Sequence, residues 1–158
     1  MADQRQSNYR GDKQDYEESK LDPKYLNKGY FNEDGSIRKE YMDKYAKEIG
    51  NNLTSDIKYS KRLGYNKVRE YYEAVIMVKT KTCNKFISIG DAKVELETLV
   101  GRIYKRWIAN NSTEYFKEFI SKNVSYVTDT DDNKEFINRL KAFERHFEMV
   151  VCYIKVAK

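Results

Sequence analysis

Two clusters of cationic side chains carry the clearest chemistry in this sequence. Lys58, Lys61, Arg62, Lys67 and Arg69 fall in a stretch, Ile57 to Arg69, that holds no acidic residue, with Tyr59 and Tyr65 between them. Cations neutralise phosphates and aromatic rings accept stacked bases; together they follow a single-stranded nucleic-acid backbone without reading its sequence. Lys67 and Arg69 also fall at a predicted helix start, where free N–H groups and the helix dipole favour anions. The second cluster is Arg102, Lys105 and Arg106, spaced i, i+3, i+4 and so on one helical face. Lys105 points away from the apolar stripe of Leu96, Leu99 and Ile103. Arg102 and Arg106 flank that stripe, where their stems pack and their charged heads stay in water. Either cluster alone is an ordinary solvated face. Two in one small domain point to a nucleic-acid partner.

Catalytic constellations are scarce. The sequence has no Gly-rich phosphate loop, no His-Glu-x-x-His pair and no Cys-x-x-Cys. Asp129, Asp131 and Asn133 open like a calcium loop. Lys134 then stands in place of the turn glycine and Leu140 in place of the bidentate Glu, so a helix start with dipole-complementing acids is the reading. Neither metal nor cofactor is implied. One pattern remains. Arg139 and the only histidine, His146, are seven residues apart and project on nearly one helical face. Arg-x4-6-His resembles the signature of the HEPN helical ribonucleases, in which the His acts on the attacking 2′-hydroxyl and the Arg on the phosphate charge. Leu140 stands where that family has a polar residue. The competing reading is a lone histidine at the edge of a packed face. Cys83 and Cys152 are too far apart in sequence for a metal pair, and Cys152 reads as a buried free thiol within an apolar helix.

The elements that must position these groups are helical. A single Pro among 158 residues favours long uninterrupted helices. Residues 1 to 20 are polar and read as a flexible tail. Residues 21 to 35, with Tyr25, Leu26, Tyr30 and Phe31 among turn signals, read as an aromatic arm that packs on the chain's own core or on a neighbouring subunit. A first helix is expected over 36–52, capped by Ser36 and ended by Gly50-Asn51-Asn52. A second follows over 66–79, capped by Asn66, and a third over 91–109, capped by Asp91 with Val94, Leu96, Leu99, Val100, Ile103 and Trp107 inward. A fourth starts after Ser112 or Thr113. The fifth, 132–156, has the clearest period: Phe136, Ile137, Leu140, Phe143, Phe147, Val150, Val151 and Ile154. Five helices with short connections make an all-α antiparallel bundle in one domain, 21–158.

Charged residues at 35% demand a densely charged surface, and the net charge of +5 suits a polyanionic partner. No apolar run is long enough for a membrane span, and the polar start lacks a signal-peptide core, so the expectation is a cytoplasmic protein.

Three stretches resemble the small helical subunit of type III-A CRISPR (Csm-type) effector complexes. Leu63-Gly64-Tyr65-Asn66-Lys67-Val68-Arg69-Glu70-Tyr71-Tyr72 is similar to that family's Thr/Ser-x-Gln-(Ile/Leu)-Arg-Lys-Phe helix start, with Val68 and Arg69 matching Ile-Arg. Leu96 to Trp107 is similar to its Leu-x-x-Leu-Lys-Pro-Lys-(Ile/Leu)-Ala-Tyr helix, with Gly101-Arg102-Ile103 in place of Pro-Lys-(Ile/Leu). Phe147-Glu148 and Val150-Val151-Cys152-Tyr153 resemble its C-terminal Phe-Glu and Val-Val-x-Tyr. Lys67 stands for the family's Gln, Gly101 for its Pro, and Trp107 is an addition.

The resemblance implies a non-catalytic subunit. Several copies stack along a filament with other subunits, facing crRNA and target RNA and neutralising phosphates without reading bases. Lys67 and Arg69 become the first candidates for RNA contact, followed by Arg102, Lys105 and Arg106. Lys61 and Arg62 complete the candidate set.

Overall fold

The computed structural model describes residues 17–156. Five α-helices make up most of them: α1 (Lys44–Ser55), α2 (Tyr65–Cys83), α3 (Ile89–Ile108), α4 (Glu114–Thr128) and α5 (Asn133–Cys152). β pairing among the described residues is confined to one antiparallel bridge, Phe31 with Ile37. The architecture is the all-helical bundle expected. No described helix is long and apolar enough to cross a membrane.

α5 is the central element and packs against α1, α2 and α4; α3 closes the bundle on α2 and α4. The inward set of α5 is Phe136, Leu140, Phe143, Phe147 and Val150, all fully buried. Phe119 of α4 meets the Phe143, Phe147 and His146 rings with centroids 5.1 to 6.3 Å apart. Burying each such phenyl contributes roughly 1.5–3 kcal/mol.

Helix starts follow local hydrogen bonding. Thr113 accepts from the Phe116 N–H and Asp132 from the Glu135 N–H. Three expected caps are corrected. Ser88, not Asp91, caps α3, because its hydroxyl accepts from the Asp91 N–H at 3.0 Å. α2 starts one residue before Asn66, after Gly64, with no side-chain cap, and it runs on to Cys83. Ser36 instead closes a loop: its hydroxyl donates to Asp34 at 2.5 Å and accepts from Asn32 at 3.0 Å.

The first helix is also displaced. A 3-10 turn, Lys39–Tyr41, precedes α1, which is capped by Asp43 accepting from the Lys44 N–H. Gly50 does not end α1. It lies inside it, where an added Cβ would come within 2.5 Å of the Tyr153 Cβ and 2.9 Å of the Val150 carbonyl oxygen. The glycine lets α1 cross the end of α5 closely. α1 then widens into a π turn, Asp56–Ser60, and the chain reverses at Lys61, whose φ of 59° is left-handed. Val94 is 64% exposed rather than inward, and Cys152 is exposed rather than buried.

The aromatic arm packs on the chain's own core. Tyr25 and Tyr30 are buried and share a polar network with α4 and α5. The Tyr30 hydroxyl donates to Asn123 Oδ1 at 2.5 Å, and Asn123 Nδ2 donates to the Tyr25 oxygen at 2.9 Å. Tyr25 in turn meets His146 Nε2 at 2.6 Å, and His146 Nδ1 meets the Tyr41 carbonyl at 2.6 Å. A carbonyl only accepts, so Nδ1 carries the proton and Nε2 accepts from Tyr25. Donors and acceptors then match along the whole chain. Of the expected tail, residues 1–16 lie outside the described residues. Within 17–20, Glu18 is tied down: its carboxylate accepts from the Tyr115 N–H at 3.0 Å and pairs with Arg62 at 3.2 Å.

Candidate nucleic-acid interface

The first turns of α2 and the second half of α3 run side by side and leave a groove of about 440 Å³ between them. Lys67 lies on one wall and Arg102, Lys105 and Arg106 on the other, with Tyr71 and Leu99 also lining it. One member of the first sequence cluster and all of the second therefore meet at a single site.

Helical spacing explains the gathering. Lys67, Tyr71 and Ala74 recur at i, i+4, i+7 on α2, and Leu99, Arg102 and Arg106 at i, i+3, i+7 on α3. The apolar members fix the helix contact and the long cations rise from its edge. Tyr71 is buried at its base. Burial pushes its hydroxyl up, while the nearby Arg106 and Arg102 charges pull it down.

The cations differ in how far they are committed. Arg102 and Lys105 are exposed, and neither forms an ion pair among the described residues. Arg106 donates one N–H to the Asn111 carbonyl at 3.2 Å, and its buried Nε has no hydrogen-bond partner among the described residues. Lys67 pairs with Glu70 at 2.8 Å, in contact with solvent where the pair is weak and exchangeable. Glu70 places one acid on the rim. The groove can accept a run of phosphates, since at least two of its cations hold no competing carboxylate.

The remaining candidates lie elsewhere. Arg69 is two residues from Lys67, about 200° around the helix. It pairs with Glu73 at 3.6 Å and contacts Tyr65. Arg62 is spent on Glu18 and on Asn110 Oδ1 at 3.4 Å. Lys61 is exposed on its left-handed turn. Lys58 lies over the Tyr59 ring at 5.2 Å. Sequence reasoning missed the groove's lining, Tyr71, Ala74 and Leu99, and its acid, Glu70. The i, i+4 relation of Lys67 to Tyr71 was the available signal.

Arg139 and His146 occupy structural positions. Arg139 donates to the carbonyls of Tyr126 at 2.7 Å and Asp129 at 3.0 Å, closing the end of α4, and lies 4.3 Å from the Tyr126 ring centroid. His146 is fully buried, and both its ring nitrogens are engaged in the network with Tyr25 and Tyr41. Burial pushes it down to about 4, so it is neutral at physiological pH. Among the described residues, no group of three or more His, Cys, Asp or Glu side chains could hold a metal ion.

Comparison with known protein families, with curated proteins and with solved structures finds no match to this chain.

Proposed function

We propose that this protein is a non-catalytic RNA-binding subunit that holds single-stranded RNA by its backbone in the α2–α3 groove. The observation that carries the reading is the convergence of Lys67, Arg102, Lys105 and Arg106 beside an apolar base. Such a groove attracts phosphates from any sequence, because none of its groups is arrayed against base edges in a fixed pattern. The resemblance of its three sequence stretches extends the reading to the small subunit of a type III-A CRISPR effector complex in the cytoplasm. There it contacts crRNA and target RNA beside other subunits and copies of itself, in antiviral defence. The burial of His146 supports a non-catalytic role, since a 2′-hydroxyl has no path to either ring nitrogen.

The test is the affinity of the purified chain for a fluorescent single-stranded RNA of arbitrary sequence. Arg102→Glu with Lys105→Glu is expected to weaken binding about ten-fold or more, roughly 1.4 kcal/mol. Arg69→Glu, on the opposite side of α2, is expected to change it by less than about two-fold. Equal losses from both variants would place the RNA elsewhere.

A further inference from the structure

The solvent face of α3 carries a pattern that the fold itself does not use. Val94, Gly101 and Ile108 recur at intervals of seven, with Tyr104 beside them, which sets one stripe along the helix. Val94 is 64% exposed, Ile108 63% and Tyr104 51%. Gly101 lies at the middle of the stripe, and a Cβ built there would have no atom within 4 Å. Nothing among the described residues requires a glycine at this position, and glycine in a helix interior costs stability relative to alanine. A glycine on an open helix face permits the close approach of another backbone.

We infer that the outer face of α3 is the seam of a twofold dimer, in which a second copy of this chain packs its own α3 antiparallel with the dyad at Gly101. Placement about Gly101 is symmetric: Val94 lies seven residues before it and Ile108 seven after. An antiparallel copy therefore sets Val94 of one chain against Ile108 of the other, twice, with the two Gly101 residues at the crossing. Charge selects the orientation. The half of the face before Gly101 bears Asp91 and Glu97; the half after it bears Arg102 and Lys105. The cation in the first half, Lys93, is held inward on the Thr130 carbonyl at 2.6 Å. Glu97 takes a hydrogen bond from Thr128 at 3.3 Å and meets no cation among the described residues. An antiparallel copy brings acidic half to basic half and opposes the helix dipoles; a parallel copy would set like charge on like.

The seam from Val94 to Ile108 spans about 21 Å at 1.5 Å per residue. One helix pair of that length lies at the low end of specific interfaces, so the dimer is reversible and concentration-dependent. A closed pair differs from the open stacking of copies that the resemblance implies, and its charge pairing draws on Arg102 and Lys105, which also line the groove.

The experiment uses the full chain with Cys83→Ser and Cys152→Ser, which removes both native thiols. Sedimentation equilibrium from about 1 μM to about 1 mM is expected to show a monomer–dimer equilibrium. Gly101→Glu is expected to be monomeric throughout, with an unchanged helical circular-dichroism spectrum. Under mild oxidation, an equimolar mixture of Val94→Cys and Ile108→Cys chains is expected to give at least about ten-fold more disulfide dimer than either alone. A monomer at every concentration would leave the stripe to some other partner and overturn the inference. So would a dimer that survives Gly101→Glu, or cross-linking in each single variant equal to that of the mixture.

Discussion

Both ring nitrogens of His146 are engaged inside the bundle, Nε2 by the Tyr25 hydroxyl and Nδ1 by the Tyr41 carbonyl. Its seven-residue distance from Arg139 permits a catalytic pair. Its place under Tyr25 and Tyr41 makes it the joint between the N-terminal arm and the bundle. The difference was not legible, because residues 105 and 121 positions away supply its partners. Burial lowers its pKa from the ordinary value of 6.5 to about 4. As pH falls, the unfolded chain therefore takes up a proton first. The stability linked to His146 is full above about pH 6.5, declines as pH falls toward 4, and levels off below that. The total is about 3 kcal/mol. Urea titrations between pH 4 and 7 should show this fall in the wild type, and His146→Leu should lose that component of the slope. An identical slope in both proteins would mean that His146 has the same pKa in the folded and unfolded states. Tyr25→Phe should cost about 1–3 kcal/mol at neutral pH, since it leaves His146 Nε2 without its donor.

At the scale of elements, the two helix-interior glycines predict opposite outcomes. Gly50→Ala places a methyl against the backbone of the α5 end and should destabilise by about 1–3 kcal/mol. Gly101→Ala enters open space and should stabilise by roughly 0.5–1 kcal/mol, less any dimer it disrupts. Thermal melts of the two at low protein concentration separate them by sign. Gly50 was misread as a helix stop because Gly-Asn-Asn is local stop chemistry, whereas its role is a close crossing of α1 and α5, which local sequence does not encode. The same limit applied at Ser36 and Asn66, where good caps were available and the chain used Asp43 and the bare Gly64 instead. What was legible were the amphipathic periods of α3 and α5, because each buries one wide stripe on a single core. The acid-free stretch 57–69 was legible as charge but not as a surface. Its residues divide among a π turn, a left-handed turn and two sides of α2. The 200° between Lys67 and Arg69 could have been computed from the helical repeat alone.

For the whole molecule, a modest net charge of +5 gives weak long-range attraction to any polyanion. The α2–α3 groove turns part of that charge into a local site. Four phosphates met by Lys67, Arg102, Lys105 and Arg106 would release counterions from a single strand at about 0.7 per contact, so log K should fall with log salt at a slope of about −3. The most direct measurement is that slope, from anisotropy titrations of one arbitrary single-stranded RNA between about 50 and 200 mM salt, with the RNA recovered on a denaturing gel. The wild type should give about −3 and Lys67→Ala with Arg102→Ala and Lys105→Ala about −1, with intact RNA in both. A slope that those three substitutions leave unchanged would contradict the groove as the binding site, and RNA cleaved in a His146-dependent manner would contradict the non-catalytic reading.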